Sequence, residues 1–404
     1  MNFELSEDQR AIQQMVREFA QGELMPRVRD LDREERFDPW VLKRMGELGI
    51  LGLCLPRKYQ GGGMDYLSLG LACEELEYVD SAFREILSVH TALVGLTLMQ
   101  WATLEQKERF LVPMATGAKI AAFGLTEPGA GSDVAALESR YRREGDAFLL
   151  SGDKLWISLA DVADLFLVFA RRSPGRDPRE ISAFLVERGR PGLETETLHH
   201  KLGVRAGNTG GIHMREVRVP AENLLGQEGE GFKIAMSALD NGRLTVAAGA
   251  TGMARACLEA SVRYAKERET FGRPIAEHQL VQQMIARMVE GYESSRLLYA
   301  WAASLKNQGK RCTRETSLAK LHACDAGFQA AADAVEIHGA YGFSDEFPVS
   351  RHLRNAKGEM IYEGTREIHL LMQAGYALGS REDRPLRCSL PPWPFPEDVE
   401  AGLA

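Results

Sequence analysis

This sequence of 404 residues has few cysteines, no excess of basic residues and no long apolar run. Its six cysteines are scattered, with no Cys-x-x-Cys pair and no Cys/His cluster, so we expect neither a metal site nor a disulfide framework. No run approaches about 18 uncharged apolar residues, so no membrane-spanning helix is expected. Lys and Arg number 49 against 57 Asp and Glu, a net charge of −8, which argues against a nucleic-acid partner.

A targeting signal is also missing from the start of the chain. Met1 to Asp8 contains no basic segment followed by an apolar core, and its acidic residues argue against an organellar transit peptide. With reduced thiols, this predicts a cytoplasmic protein. What the chain does have is length and a balanced composition, with 45% hydrophobic and 26% charged residues. These values predict a folded protein of two or three units with a large core.

Hydrophobic periodicity divides the chain into a helical, a β and a second helical part. In the first part, Ser6 and Gln9 form a predicted capping box, and helices are predicted at residues 11–24, 39–49 and 66–101. The middle part predicts an antiparallel β unit that ends near Pro220. It comprises two strands around a Gly-Asp turn within 148–157, and further strands at 164–170, 181–186 and 213–219.

The helical period returns at Gly231 and persists to about Gly379. Helices are predicted at 232–240, 243–268, 277–307 and 316–338, and a last helix begins after Thr365. The tail from Arg381 is predicted to be extended. We therefore expect an α+β protein with a helical domain (1–121), a β domain (122–232), a second helical domain (233–380) and a C-terminal tail (381–404).

Five short strings carry residue types suited to ligand chemistry, and each also has an ordinary structural explanation. Residues 123–133 (FGLTEPGAGSD) form a strand end and a two-glycine turn, which suits close approach of a ligand to the backbone or simply a surface turn. Trp156, within 154–158, suits stacking on a planar cofactor or burial in the core. Asp240 and Arg243, within 239–243, suit either a local ion pair or a polar, anionic ligand.

The remaining two strings lie near helix ends. In 266–279 a glycine break separates two helices, and Arg268 either satisfies helix C-terminal carbonyls or, with Gln279, contacts a phosphate or a ring edge. In 360–369, Thr365 is predicted to be the N-cap of the final helix, with Glu363 in the preceding loop beside Gly364. A carboxylate there either projects into a cleft as a general base or is solvated.

Together, the order and spacing of these strings resemble the acyl-CoA dehydrogenases over about residues 3–380. The resemblance implies that the second helical domain is a four-helix bundle. It also implies FAD, an acyl-CoA substrate, an electron-transferring flavoprotein as acceptor, and a homotetramer built as a dimer of dimers. Glu363 matches the base that removes the α-proton before the β-hydride passes to the flavin and a 2-enoyl-CoA leaves. Burial is expected to raise the pKa of this carboxyl towards neutrality.

Further site residues follow from the same resemblance. The implied FAD contacts are Phe123, Leu125, Thr126, Ser132, Trp156, Ile157, Ser158, Arg268, Thr270, His278, Gln279, Ile337, His338, Gly339, Thr365 and Glu367. Within this set, the residues from Arg268 to Gly339 are those that reach the FAD of a neighbouring subunit. The implied substrate contacts are Arg84, Ser88, Ser132, Phe232, Asp240, Arg243, Tyr362 and Gly364. Glu336 and Gly339-Ala340 depart from the Gln and Gly-Gly that the family often has.

One further stretch, 78–89, bears on which acyl group the substrate carries. It resembles the glutaryl-CoA dehydrogenase branch. In that branch an Arg and a Ser four residues on bind the distal carboxylate of the substrate, and Arg84 and Ser88 match them, with Glu77 as a nearby acidic residue. Glu85 departs from the small polar residue expected there. A solvated helical stripe is the alternative explanation for Glu77, Ser81, Arg84, Ser88 and Thr91.

Three functions therefore compete. The first is a dehydrogenase of a dicarboxylic mono-CoA ester, such as glutaryl- or a substituted succinyl-CoA. The second is a short- or branched-chain monocarboxylic acyl-CoA dehydrogenase, in which Arg84 only pairs with Glu77 or Asp80. The third is a non-catalytic relative that binds acyl-CoA or flavin, against which the presence of Glu363 argues.

Overall fold

The structure, a computed structural model, describes residues 4–403. Its first part is helical, and the predicted capping box is confirmed: the Ser6 hydroxyl accepts the Gln9 N–H, and the Gln9 side chain accepts the Ser6 N–H. The chain then runs through α1 (Glu7–Phe19), a π-helical turn (Ala20–Leu24), α2 (Met25–Glu34) and α3 (Trp40–Glu47).

The single long helix predicted for 66–101 is wrong, because the chain breaks at Asp80. This residue is extended (φ −167°, ψ 146°), and its carboxylate accepts the N–H of Ala82, which caps the next helix. The observed elements are α4 (Tyr66–Val79), α5 (Ser81–Leu87), a π-helical segment (Ser88–Gly95), α6 (Leu96–Trp101) and α7 (Leu104–Ala115). The run Ser81–Trp101 is long and apolar enough to cross a membrane by length and composition, but it lies wholly buried as a core helix of the fold.

The middle part is an eight-stranded sheet with the strand order β6-β7-β3-β2-β4-β5-β8, and β1 pairs with β4. Its pairing is mixed: β1 and β2 run parallel to β4, so the antiparallel prediction is wrong for these two pairings. The strands are β1 (Ala121–Gly124), β2 (Arg140–Glu144), β3 (Ala147–Ser158), β4 (Leu165–Arg171), β5 (Ile181–Glu187), β6 (Leu193–Thr197), β7 (Thr209–Pro220) and β8 (Leu224–Leu225).

The predicted Gly-Asp turn is also wrong, because β3 is one continuous strand. The register of β3 against β7 shifts between Leu150 and Gly152, so the glycine marks a bulge and not a reversal. Gly152 has φ 142°, and a Cβ on it would collide with Ser139. The glycine is needed here for close packing within the sheet.

The third part is again helical, with α8 (Gly231–Glu267), two short strands β9 (Glu269–Thr270) and β10 (Arg273–Pro274), α9 (Gln279–Asn307), α10 (Thr313–His338), α11 (Val349–Glu359) and α12 (Arg366–Ala377). The two helices predicted on either side of Asn241-Gly242 are one. Both residues are buried inside α8, where Asn241 accepts a hydrogen bond from Lys306. Tertiary packing therefore overrides the low helix propensity of this pair.

The C-terminal tail returns to the N-terminal helices and is not wholly extended, since it ends in α13 (Pro396–Glu400). Phe395 is fully buried and meets Tyr66 edge-on, with ring centroids 6.0 Å apart. The Asp398 carboxylate accepts the backbone N–H groups of Arg57 and Lys58 at 3.0 and 2.9 Å. The tail thus shares the main core, which joins the N-terminal helices, the sheet and the first half of α8.

Candidate active site

Glu363 lies in the tight turn between α11 and α12. It adopts a left-handed backbone conformation (φ 54°) and is followed by Gly364 at φ 103°. Thr365 then caps α12, because its hydroxyl accepts the N–H of Ile368 at 3.4 Å, as predicted. A non-glycine residue in this region costs energy, and the fixed turn at the start of α12 holds it there with its carboxylate facing inward.

Glu363 is half-buried, and its Oε2 is the enclosed atom: within residues 4–403 this oxygen has no hydrogen-bond partner. The Glu363 carboxylate lies over Gly242 of α8. A Cβ added at Gly242 would collide with the Oε2 atom of Glu363 and would also approach Leu93. Burial raises the pKa of Glu363, while the charges of Arg84, Lys320 and Arg243 lower it in part. An enclosed, unpartnered carboxyl with a raised pKa has the properties of a general base.

A buried lysine, which the sequence analysis missed, holds the turn in place. Lys320 of α10 donates hydrogen bonds of 2.9 Å to the carbonyl oxygens of Glu359 and Gly364, on either side of Glu363. Its burial lowers the pKa of the ammonium group. The only signal in the sequence was a lysine on the apolar face of a helix. Such a lysine has no identifiable role until the turn around Glu363 packs against it.

Arg84 lies near Glu363 but is not an unpaired cation. Its Nε donates to Glu77 Oε2 at 2.5 Å, and its terminal nitrogens donate to Ser88 Oγ at 3.2 Å and to the Tyr362 hydroxyl at 2.5 Å. The Arg84 and Glu77 side chains are 1% and 0% exposed. The solvated stripe considered for these residues is therefore wrong. The structure places Arg84, Ser88 and Tyr362 in one polar network.

The acidic side of this network contains a second carboxyl group. The Ser81 hydroxyl donates to Glu77 at 2.5 Å, and an oxygen of Glu359 lies 3.3 Å from the same hydroxyl oxygen. Burial and the negative charge of Glu77 raise the pKa of Glu359 well above its usual range, which favours the neutral form of this carboxyl. Burial alone would raise the pKa of Glu77, but Arg84 and the surrounding hydrogen bonds outweigh it and lower this pKa. The cluster is thus one ion pair with a neutral acid beside it.

The two strand segments expected along the flavin meet at the edge of the sheet. The Leu155 N–H donates to the Thr126 carbonyl at 3.0 Å, and Lys154 pairs with Glu127 at 2.7 Å behind them. Trp156 is 60% exposed, so burial in the core, the ordinary explanation, is wrong for this residue. Phe123, Leu125 and Ile157 are buried, Thr126 and Ser158 are half-buried, and Ser132 is exposed.

The surface of this edge fits a planar ring system. A Cβ added at Gly129 or Gly131 would meet nothing within 4 Å, so the turn after β1 is open to close approach of a ligand. The exposed indole of Trp156 and the half-buried hydroxyls of Thr126 and Ser158 border it. An isoalloxazine ring needs this combination of a flat apolar face and polar edge contacts.

The residues expected to reach a neighbouring subunit form a separate surface. The Arg268 N–H donates to the Tyr264 carbonyl, and the Tyr264 ring stacks on His338 with centroids 4.3 Å apart. Thr270 and His278 are hydrogen-bonded at 3.0 Å, and beside them Phe271 is 96% exposed. Ile337 and His338 are buried, whereas Gln279 and Gly339 are exposed. Glu367, an expected FAD contact outside this set, is exposed too. Within residues 4–403, no hydrogen bond joins this surface to Glu363.

The residues expected to line the CoA channel lie on α8. Asp240 accepts hydrogen bonds from Arg243 at 2.9 Å and from Thr313 at 2.6 Å, so the predicted local ion pair is present. The Nε of Arg243 is buried and, within residues 4–403, has no partner. Phe232 is the second residue of α8 and is half-buried. Asp240 also borders a cavity of about 170 Å³ between α8 and the C-terminal tail.

Comparison with known proteins agrees with this architecture. The N-terminal, middle and C-terminal domain models of acyl-CoA dehydrogenases match residues 6–118, 122–217 and 229–376. The chain is 40% identical to the short-chain specific acyl-CoA dehydrogenase of Clostridium acetobutylicum. The match extends over 375 residues, which are 93% of this chain and 99% of that protein.

Two solved structures extend the comparison. A chain from a structural study of the electron transferring flavoprotein of Acidaminococcus fermentans is 41% identical, with a TM-score of 0.92 over 94% of this chain and 100% of that one. Glutaryl-coenzyme A dehydrogenase in complex with glutaryl-CoA is 37% identical, with a TM-score of 0.90 over 94% and 98%. The chain therefore belongs to the acyl-CoA dehydrogenase family, FAD-dependent oxidoreductases that act on CH–CH groups.

Proposed function

We propose that this protein dehydrogenates a short-chain monocarboxylic acyl-CoA to the 2-enoyl-CoA, with Glu363 as the base that takes the α-proton. The observation that carries the proposal is the Glu363 carboxylate, enclosed and without a partner over Gly242. An enclosed carboxylate oxygen without a hydrogen bond costs stability, so its presence supports a functional role for Glu363. A proton acceptor held ready for a substrate explains it.

The protein's own part in the reaction is to position the thioester and to move one proton. The raised pKa of Glu363 makes its carboxylate a stronger base than an exposed glutamate, and exclusion of water by the acyl chain is expected to raise that pKa further. Lys320 binds backbone carbonyls on both sides of Glu363, which holds the turn that carries the proposed base. FAD, when bound, supplies the hydride acceptor for the β-carbon.

The cofactor is proposed to lie along the edge of the sheet where β1 and β3 end. There the contacts proposed are Phe123, Leu125, Thr126, Ser132, Trp156, Ile157 and Ser158, joined by Thr365 and Glu367 after the base. The segments that carry Arg268, Thr270, His278, Gln279, Ile337, His338 and Gly339 are proposed to contact the FAD of a second subunit. Phe232, Asp240, Arg243, Tyr362, Gly364 and Ser132 are proposed substrate contacts.

The monocarboxylic substrate is supported by the partners of Arg84. Its Nε and one terminal nitrogen bond Glu77, and the remaining hydrogen bonds go to Ser88 and Tyr362, so the positive charge is already balanced inside the protein. A distal carboxylate would have to compete with Glu77 for this guanidinium. The short-chain specificity of the Clostridium acetobutylicum relative supports the same choice.

A dicarboxylyl-CoA substrate is the second candidate, favoured by the presence of Arg84 and Ser88 in the same wall. A panel of CoA esters separates the two candidates. The proposal expects butyryl-CoA to bleach the flavin faster than glutaryl-CoA or a substituted succinyl-CoA. Faster bleaching by a dicarboxylyl ester would transfer the proposal to the second candidate.

Partners are proposed on the same basis. An electron-transferring flavoprotein as acceptor is supported by the Acidaminococcus fermentans comparison. A homotetramer is supported by the exposed apolar side chains Phe271, Leu280 and Phe343, on or next to the surface proposed to contact a second subunit's FAD. Light scattering on the yellow protein tests this, and a stable flavin-loaded monomer would contradict it.

The role of Glu363 is tested by Glu363→Gln, with Glu382→Gln in the exposed tail as the matched control. The active-site variant should keep its FAD spectrum and bind acyl-CoA, while flavin reduction slows by several orders of magnitude. The control should reduce its flavin at the wild-type rate. Activity of Glu363→Gln within about tenfold of wild type, a barrier change of only about 1.4 kcal/mol, would show that another group is the base.

A further inference from the structure

Glu85 is a buried carboxyl group that the proposed reaction does not use. It follows Arg84 on α5 but points elsewhere, and its Oε2 accepts a hydrogen bond of 3.0 Å from the Ser158 hydroxyl. The residue is 8% exposed, and within residues 4–403 its Oε1 has no hydrogen-bond partner. A Cβ at Gly207 would collide with this oxygen, so the surrounding loop is shaped around the carboxyl group.

Ser158 connects Glu85 to the edge of the sheet where FAD is proposed to bind. It is the last residue of β3, two positions after the exposed Trp156, and it pairs with Thr209 of β7. The Leu155 N–H on the same strand end bonds the Thr126 carbonyl of the other proposed flavin segment. Glu85 is therefore one hydrogen bond from a proposed flavin contact and lies on a different element.

A serine hydroxyl carries one proton, and this limits what it can offer the cofactor. When Glu85 is ionised it can only accept, so the Ser158 proton is committed to it and only oxygen lone pairs remain for the flavin. When Glu85 is protonated it can donate to Ser158, which frees the serine proton to point at the flavin. The protonation state of Glu85 thus selects the hydrogen-bonding role of Ser158.

The charges around Glu85 place this change in a useful pH range. Burial raises the pKa of Glu85 to about 7, although Lys201 on the loop before β7 and Arg84 on α5 lower it, and Asp80 at the start of α5 raises it. Lys201 is itself engaged with the Gly207 carbonyl and the Thr209 hydroxyl. Within residues 4–403, Glu85 forms no ion pair.

We propose that Glu85 is a positioning residue for the flavin, which acts through Ser158 by setting whether the serine hydroxyl donates to or accepts from the cofactor. The proposal rests on the proposed FAD site. It assigns a role to the one residue in 78–89 that departs from the pattern of the branch it resembles. It also predicts a coupling between pH and flavin reduction that does not involve the base Glu363.

The test measures the midpoint potential of the bound flavin from about pH 5.5 to about pH 8.5, on either side of the Glu85 pKa. Glu85→Gln, a neutral isostere, should match wild type at low pH. It should exceed the wild-type potential increasingly at high pH, where the wild-type carboxylate is ionised. Glu74→Gln is the control, because Glu74 is equally buried but bonds Arg255 and Tyr299, and its potentials should follow wild type.

The route through Ser158 is tested by a double-mutant comparison. In a Ser158→Ala background, Glu85→Gln should leave the potential nearly unchanged at every pH. A divergence that persists without the serine would overturn the proposed route, since the charge would then act through space. If Glu85→Gln does not accumulate as flavoprotein, wild type against Ser158→Ala serves instead. A difference between their potentials that does not vary with pH would overturn the proposal.

Failure here is distinguishable from failure of the proposed function. Flavin-loaded protein that is bleached by butyryl-CoA, with parallel potentials for wild type and Glu85→Gln, would overturn the role of Glu85 alone. A chain that takes up no FAD would overturn the cofactor site and this role with it.

Discussion

Replacing Arg84 with methionine should destabilise the protein and leave its choice of substrate almost unchanged. The guanidinium is buried, and it is the cationic partner of Glu77 in the wall near the base. Arg84→Met therefore leaves a carboxylate buried without its cation. Breaking a buried ion pair by removing one partner costs about 3–5 kcal/mol, most of it from the stranded charge.

The double variant Glu77→Gln with Arg84→Met gives the matched control. With neither charge present, no carboxylate is stranded, so most of the lost stability should return. Residues in direct contact are expected to be non-additive in this way, and the coupling measures the pair itself. A loss in the double variant equal to the sum of the two single losses would show that packing, and not the charge, accounts for the cost.

The loss in Arg84→Met should also grow with pH. In the wild type, burial raises the pKa of Glu77 and Arg84 is the largest cause that lowers it. Without Arg84, burial is expected to leave this pKa above its unfolded value. A carboxyl whose pKa is raised in the folded state binds more protons there than in the unfolded chain, so stability falls as pH rises from the unfolded pKa to the folded one. At acid pH the two neighbouring carboxyls can both stay protonated, and the penalty shrinks.

Two measurements check this prediction on flavin-loaded protein. Thermal unfolding, followed by release of flavin fluorescence at several pH values, measures the stability loss. The ratio of kcat/KM for butyryl-CoA to that for glutaryl-CoA measures specificity, and it should change by less than about tenfold, or 1.4 kcal/mol. An inverted preference with little loss of stability would refute the reasoning, because Arg84 would then serve the substrate and not Glu77.

Three further predictions follow from single contacts. Gly242→Ala should lower the rate of flavin reduction by about 100-fold with FAD content unchanged, because the new Cβ displaces the Glu363 carboxylate. An unaffected rate would show that Glu363 does not depend on the space over residue 242. Lys320→Met should move the acid limb of the kcat/KM–pH profile to higher pH, because the ammonium lowers the pKa of the base, which must be ionised to act. Phe395→Ala should cost about 3–5 kcal/mol of stability, since the ring is fully buried against Tyr66, and an unchanged unfolding midpoint would show that the tail is dispensable.

The sequence determined the three-part order of the fold, and it identified the residue proposed as the base. Helical and strand periodicity are local properties, because they report which face of each element is apolar, and they placed the change to strands near residue 120 and the return to helix at Gly231. The capping residues Ser6 and Thr365 were equally readable, since a cap involves only a few consecutive residues.

Where the sequence misled, a neighbour distant in the chain decided the outcome. Gly152 has the composition of a turn but forms a bulge, because Ser139 packs against its backbone. Asn241-Gly242 has the composition of a helix break but lies inside α8, because Lys306 satisfies the asparagine and the glycine makes room for Glu363. Local propensities are small compared with such tertiary contacts.

The charge state of the site was decided only by the tertiary structure. Arg84 matched a substrate-binding arginine in sequence, but whether a cation is free depends on the carboxylates that fold around it, and here Glu77 occupies it. The sequence did not reveal the roles of Lys320 and Glu85, since each acquires its role from a loop or strand end that packs against it. Electrostatic function depends on distances and burial across the fold, and a sequence pattern records neither.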